Sequence, residues 1–392
     1  MVKFKNTSSK NIKKLEPNNF KTSDKVQNIP EALSIYINQI VYSLKRKGKD
    51  IITLSLGEAF FEMPLFDFHK LDYVKGFHYS DSQGLPELRE KISEYYKKQY
   101  NVSVNPDKEI LISCGSKLVI YMVFMAILNP NDEILIHEPG WLSYQEQARL
   151  VNAIPKFVPY NQDINHIDKW FNEKTKILII NNPNNPAGRL YTSDELKTLY
   201  RKSKEKGIYL LVDEAYSDFI NDKKFTSVAS LNSNMEGIIA INSLSKNMGM
   251  SGWRVGYVLS NKHLIKQILK INQHIVTCAP TLLQQYMTKY FDQVVKITLP
   301  QADDVVLKRE RVENYINKIG LKTIKGGSTF YFMINIERFP GNSYELSMLL
   351  LLKHQIAVVP GSAYGESTDR FIRIGVGTES DERIFNALSV IK

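Results

Sequence analysis

Asn242-Ser243-Leu244-Ser245-Lys246-Asn247-Met248-Gly249-Met250-Ser251-Gly252-Trp253-Arg254-Val255-Gly256-Tyr257 follows one short apolar run, Ile238–Asn242, and leads into another, Gly256–Leu259. Its lysine and arginine stand among hydroxyls and glycines. A lysine just past a strand of an α/β sheet lies at the rim, in the crevice where such folds bind ligands. Its amine can form a Schiff base with a carbonyl compound. A lone lysine in a turn carries no such message, so the rest of the chain decides the reading.

Outward from this stretch, short β-branched runs alternate with longer amphipathic ones, the pattern of parallel strands joined by crossover helices. The expected strands are Glu109–Ser113, Glu133–Ile136, Lys156–Pro159, Lys176–Ile180, Tyr209–Val212, Ile238–Asn242 and Gly256–Leu259. Several are apolar throughout, as strands covered on both faces are. The fold class expected is α/β, a large domain on a mostly parallel seven-stranded sheet plus a smaller α+β domain. A helix is expected over Ile29–Lys47, opened by Pro30-Glu31. After about Pro300 come a charged helical stretch, Val305–Lys318, a turn at Gly326-Gly327 and a strand over Thr329–Ile336. The domain plan is therefore a basic, flexible extension over 1–28, a segment over 29–54 that joins the small domain, a large domain over 55–300 and a small domain over 301–392.

At 392 residues with 43% apolar and 23% charged residues, the chain has the composition of a soluble globular protein. Two distant cysteines, Cys114 and Cys278, and seven scattered histidines form no metal-binding spacing, so no metal is expected and a reducing, cytoplasmic location is. No apolar run approaches the roughly 20 residues that span a bilayer, and the first twenty-five residues lack the apolar core of a secretory signal. The net charge of +10 would suit nucleic acid, yet Lys3, Lys5, Lys10, Lys13, Lys14, Lys21 and Lys25 against Glu16 and Asp24 put +5 of it in the N-terminal extension. The body is too weakly charged to imply a phosphate-backbone partner, and neither a nucleic acid nor a membrane is expected.

Other polar groups sit where strands run out: Asp213-Glu214-Ala215-Tyr216 after one, Asn185-Pro186-Ala187-Gly188 after another. Asn185 precedes Asp213 by 28 residues, Asp213 precedes Tyr216 by 3, Ser243 precedes Lys246 by 3, and Lys246 precedes Arg254 by 8. With Lys246, these segments resemble the class I/II aminotransferases, fold-type I enzymes that depend on pyridoxal phosphate, from about residue 30 to the end.

The resemblance implies a role for each. Lys246 holds the cofactor as a Schiff base and shuttles the proton; Asp213 keeps its ring nitrogen protonated by charge pairing; Asn185 and Tyr216 bond the ring's phenolic oxygen. In Ser113-Cys114-Gly115-Ser116-Lys117, Gly115 admits the phosphate and the N–H groups of Ser116 and Lys117 meet it at a helix N-terminus, joined by the Ser243 hydroxyl and the fork of Arg254. Trp141, two residues after Pro139, is the ring expected over the cofactor, with core packing as its other reading. Tyr79, in Tyr79-Ser80-Asp81-Ser82-Gln83-Gly84, reaches the neighbouring subunit's site in the family, which implies a homodimer with shared sites; the alternative is a buried tyrosine near a turn.

Arg373, in Asp369-Arg370-Phe371-Ile372-Arg373-Ile374-Gly375, matches the arginine that clamps the substrate carboxylate, with Arg370 as competitor, and Gly57 aligns with a glycine whose backbone lines the substrate site. Ala59 and Phe60 depart from the family's Pro and acid, and no arginine lies between Arg254 and Arg309 to match the dicarboxylate-selecting one that some members borrow from a partner. The activity implied is transamination between an α-amino acid and a 2-oxo acid. Decarboxylation, β- or γ-elimination and oxidation share the constellation. An effector-sensing, non-catalytic domain is the remaining reading, disfavoured because about 28 residues ahead of the fold are too few for a helix-turn-helix module.

Overall fold

The computed structural model describes residues 20–221 and 225–392; the lysines expected at 3, 5, 10, 13 and 14 lie outside them. All seven expected strands form one sheet, in the order Ile110–Ser113, Gly256–Ser260, Ile238–Ser243, Tyr209–Asp213, Thr175–Asn181, Glu133–His137, Ile154–Val158. Gly256–Ser260 runs antiparallel to both neighbours, and the other pairings are parallel.

The continuous apolar runs are explained by two covers. Ile110, Ile112, Leu178, Ile180, Leu210 and Val212 face a core shared with the helices Pro86–Tyr100 and Ser193–Glu205. Their neighbours Leu111, Ile177, Ile179 and Leu211 face the helices Ser116–Ile127 and Lys262–Ile275 on the other side. Alternation survives, but both sides are apolar. At roughly 1.5–3 kcal/mol for each fully buried aliphatic side chain, the double cover makes this sheet the rigid base from which the strand-end loops project.

A third core lies between the antiparallel strands Tyr331–Asn335 and Phe371–Gly375, extended by Val359–Pro360, and the helices Ser343–His354 and Asp381–Ile391. The N-terminal helix joins this side of the molecule through Ile37 and Val41, which pack with Leu351 and Ala357. It spans Leu33–Arg46 with Ala32 at its cap, so Pro30 and Glu31 precede the helix instead of opening it. The stretch Val305–Lys318 is the end of a 38-residue helix, Thr281–Lys318, that carries Pro300 inside it and so runs through the position chosen for the domain boundary. Residues 20–28 hold a short helix, Asp24–Gln27, and Lys25 Nζ donates to Leu150 O at 2.9 Å. Among the described residues no helix is long and apolar enough to cross a membrane.

Candidate active site

Where the parallel strands end, a cavity of about 660 Å³ opens. Asp213 closes its strand with the carboxylate buried beneath this cavity, accepting from Tyr144 Oη at 2.7 Å and Ala215 N at 3.2 Å. Desolvation pushes its carboxyl up to about 6, and the donor hydrogen bonds and Lys246 oppose that rise. Lys246 lies one turn beyond the neighbouring strand end, on the short helix Leu244–Asn247 whose cap is Ser243. Lys246 Nζ donates to Gly57 O at 2.6 Å, and burial lowers its ammonium to about 8, partly offset by Glu58. An amine with that value is available in neutral form near physiological pH.

On one side of the lysine lies a phosphate-sized cradle. Gly115, at φ +84°, caps the helix Ser116–Ile127, and a Cβ on it would stand 2.4 Å from Arg254 Nη2. Only glycine fits there. A Cβ on Gly256 would likewise stand 2.3 Å from Ser116 N, so the antiparallel strand begins hard against this turn. Arg254 Nη1 donates to Ser251 O at 2.6 Å and leaves the rest of its fork toward the cavity, which Ser116, Lys117 and Ser243 also line. Ser243 Oγ accepts from Ser245 N at 3.3 Å and keeps its own proton to donate. Trp141 lines the cavity with its ring edge-on to Tyr144 at 5.4 Å and Lys117 Nζ 5.1 Å from its centre; it is not part of the closed core.

Across the cavity, Arg373 is 3% exposed. Its Nη2 donates to Ser55 O at 2.6 Å and its Nη1 to Asn185 Oδ1 at 3.4 Å, while Nε has no partner. Among the described residues no carboxylate pairs with it. Arg370, the competitor, is fully engaged elsewhere, donating to the carbonyls of Gly341, Ile336, Glu337 and Phe339. Asn185 Nδ2 donates to Tyr216 Oη at 3.1 Å, and Tyr216 Oη meets Tyr331 Oη at 2.9 Å.

Lys246, Asp213, Tyr216, Asn185, Ser116, Lys117, Ser243, Arg254, Trp141, Arg373 and Gly57 thus share one cavity, with Gly115 directly behind it. Tyr79 does not line it; at 83% exposed it is not the buried tyrosine offered as its alternative. Sequence reasoning missed Tyr144 and Tyr331, which hold Asp213 and Tyr216, and Asn181, whose Oδ1 accepts from Asn185 N at 2.5 Å and whose Nδ2 donates to Asp213 O at 2.7 Å. Asn181 had a signal, the polar ending of an apolar strand. The two tyrosines had none, since an aromatic beside a strand or helix usually means core. The wall from the N-terminal helix, Ser34, Ile35 and Asn38, is equally silent in sequence.

Residues 68–391 match the family model for aminotransferase class I and II. A probable aspartate/prephenate aminotransferase of Aquifex aeolicus is 32% identical, the match covering 94% of this chain and 97% of that one. An aspartate aminotransferase of Pyrococcus abyssi is 33% identical, covering 84% and 88%. Among solved structures, the aromatic aminotransferase of Pyrococcus horikoshii superposes with a TM-score of 0.82 at 30% identity over 90% of this chain and 97% of that one.

Proposed function

The chain belongs to the class I and II aminotransferases, enzymes that pass an amino group between an amino acid and an oxo acid, and from that premise we propose how its own residues divide the work. The observation that carries the proposal is one cavity holding a half-buried amine of lowered basicity, a buried carboxylate with no ion-pair partner among the described residues and a buried guanidinium with none.

Pyridoxal phosphate, the cofactor of this family, fits these groups, and when bound it supplies the electron sink that loosens a bond at the substrate's Cα. Gly115 leaves room for the phosphate; the N–H groups of Ser116 and Lys117, the Ser243 hydroxyl and Arg254 would bind it. Asp213, braced by Tyr144, would hold a proton on the ring nitrogen. Bringing that cation beside the carboxylate reverses the rise that desolvation causes, since an opposite charge favours the ionised form. Asn185 and Tyr216 would bond the ring oxygen, and Trp141 would cover the ring face.

Lys246 would take the proton from the substrate's Cα and hold it at Nζ, which requires the neutral amine that burial favours. Arg373 would bind the donor's carboxylate, and its fixed plane would set how the bonds at the substrate's Cα are oriented. An oxo acid acceptor, which carries the same carboxylate, would use the same clamp in the reverse half-reaction. Free cysteines at 114 and 278 support a reducing, cytoplasmic location.

The active unit in this proposal is a homodimer. Phe60, Leu65, Val74, Phe77 and Tyr79 are all exposed within twenty residues of sequence, an apolar load that a partner subunit would cover, and Tyr79 would then reach the partner's phosphate. Sedimentation of the purified chain tests this, and a monomer that turns over at the full rate is the contrary result.

Asp213→Asn is expected to retain the cofactor and lose turnover by about 10²-fold or more, equivalent to at least roughly 2.7 kcal/mol of transition-state stabilisation, because the amide can hold the ring but not stabilise its protonated nitrogen. Single-turnover conversion of the cofactor from aldehyde to amine form by a saturating donor measures this directly. A near-parental rate removes the role.

A further inference from the structure

We infer that Ser217 is a positioning residue for Lys246, its hydroxyl fastening both ends of the turn that carries the lysine. The inference rests on the role of Lys246 proposed above.

Asn242 and Asn247 bracket Ser243–Lys246, and both turn away from the cavity toward Ser217. Asn247 Nδ2 lies 2.8 Å from Ser217 Oγ and Asn242 Nδ2 lies 3.2 Å from it. All three side chains are at most 2% exposed. A hydroxyl oxygen can accept more than one hydrogen bond, and Ser217 Oγ is the acceptor that the two amides share. Tyr100 Oη, 2.7 Å away, donates to the same oxygen. Tyr100 Oη stands between Ser217 Oγ and Asp218 Oδ1, 2.6 Å from the latter, and Tyr95 donates to the other carboxylate oxygen. Asp218 N closes the ring by donating to Asn247 Oδ1 at 3.3 Å.

The Ser217 hydroxyl is therefore tied through Tyr100 to the Asp218 carboxylate. None of Ser217, Asn242 and Asn247 lines the cavity, so none touches substrate. What they govern is the path of the backbone between Asn242 and Asn247, and through it where the long lysine side chain begins. Ser217 follows Tyr216, so the same short segment places one residue in the cavity and the next beneath it.

Removing the hydroxyl takes from both amides their shared acceptor and leaves only longer bonds, Asn242 Nδ2 to Tyr96 Oη at 3.3 Å and Asn247 Nδ2 to Asn242 Oδ1 at 3.5 Å, so the turn is free to relax. Displacement of a reacting group by about 1 Å can cost on the order of 10²-fold in rate. Ser217→Ala is therefore expected to lower kcat by about 10- to 100-fold with KM for the amino donor within about twofold, and to raise the isotope effect with a donor deuterated at Cα, because the proton step becomes slower relative to the others. Tyr100→Phe keeps the ring, removes only the hydroxyl that donates to Ser217 Oγ, and should give the same pattern at smaller amplitude; it carries the test if Ser217→Ala does not fold.

The control uses holoenzyme with Lys246→Ala, its proton transfer rescued by methylamine. A free amine does not depend on where the turn begins, so Ser217→Ala should leave the rescued rate unchanged. A parental kcat and isotope effect in both single variants overturns the inference, as does an equal loss in the rescued rate, which would mean that the whole cavity had been disturbed. A Lys246→Ala variant that turns over at the parental rate without added amine overturns the assignment of Lys246 itself.

Discussion

Lys246→Ala is expected to reduce turnover by on the order of 10⁴-fold or more, since it removes both the covalent anchor and the general base, and to abolish trapping of the cofactor on the protein by borohydride. The geometry leaves no substitute: Lys117 Nζ lies over the Trp141 ring and Arg254 is engaged with Ser251 O. The same amine sets a pH signature in the parent apoprotein. Only the uncharged amine can attack a carbonyl, and burial places the ammonium at about 8. Uptake of pyridoxal phosphate should therefore quicken by about tenfold per pH unit below that value and level above it, the titration of a single group whose charged form is disfavoured. Labelling of Lys246→Ala at the parental stoichiometry would identify a different lysine as the anchor. A rate that keeps rising to the pH of an ordinary lysine would show that Lys246 is not desolvated.

Arg373→Leu is expected to lower kcat/KM for every α-amino acid donor by about 10³-fold, because two charge-assisted hydrogen bonds at roughly 1.5–3 kcal/mol each are lost from a buried site. The loss should be much smaller for amines without a carboxylate. Arg370→Leu serves as the comparison. Arg370 is held by four backbone carbonyls of the 336–341 loop, so its loss should lower thermal stability while leaving the preference for carboxylated donors intact. If Arg370→Leu is the variant that loses this preference, or if Arg373→Leu slows donors with and without a carboxylate equally, the donor does not lie against Arg373.

The sequence alone determined the sheet. Six of the seven strands are local runs that bury side chains on both faces, and only the edge strand Ile154–Val158, with Lys156 exposed and Val158 alone buried, departs from this, so local pattern and tertiary environment largely agree. It also determined which groups gather at the strand ends: Asp213, Asn185, Ser243 and Gly115 are placed by the strand that precedes each, and Lys246 by a turn only three residues past Ser243.

What the tertiary structure decided depends on contacts between distant residues. Gly57 O meets Lys246 Nζ across 189 residues, and Ser55 O meets Arg373 across 318. Tyr144 supports Asp213 across 69. No periodicity encodes such pairings, because an aromatic or a backbone carbonyl has the same local signal whether it packs in a core or braces a carboxylate.

The long helix shows the same limit in the backbone. A proline inside a helix costs about 3 kcal/mol, which is why the pattern reads as a break near Pro300. Yet Tyr286, Phe291 and Val294 before it are buried in the core of the large sheet, and Ala302, Val306, Val312 and Ile316 after it in the core of the small one. At roughly 1.5–3 kcal/mol for each large aliphatic or aromatic side chain buried, these contacts outweigh the proline several times over. The helix continues because both of its halves are held from outside, a fact that exists only once the chain has folded.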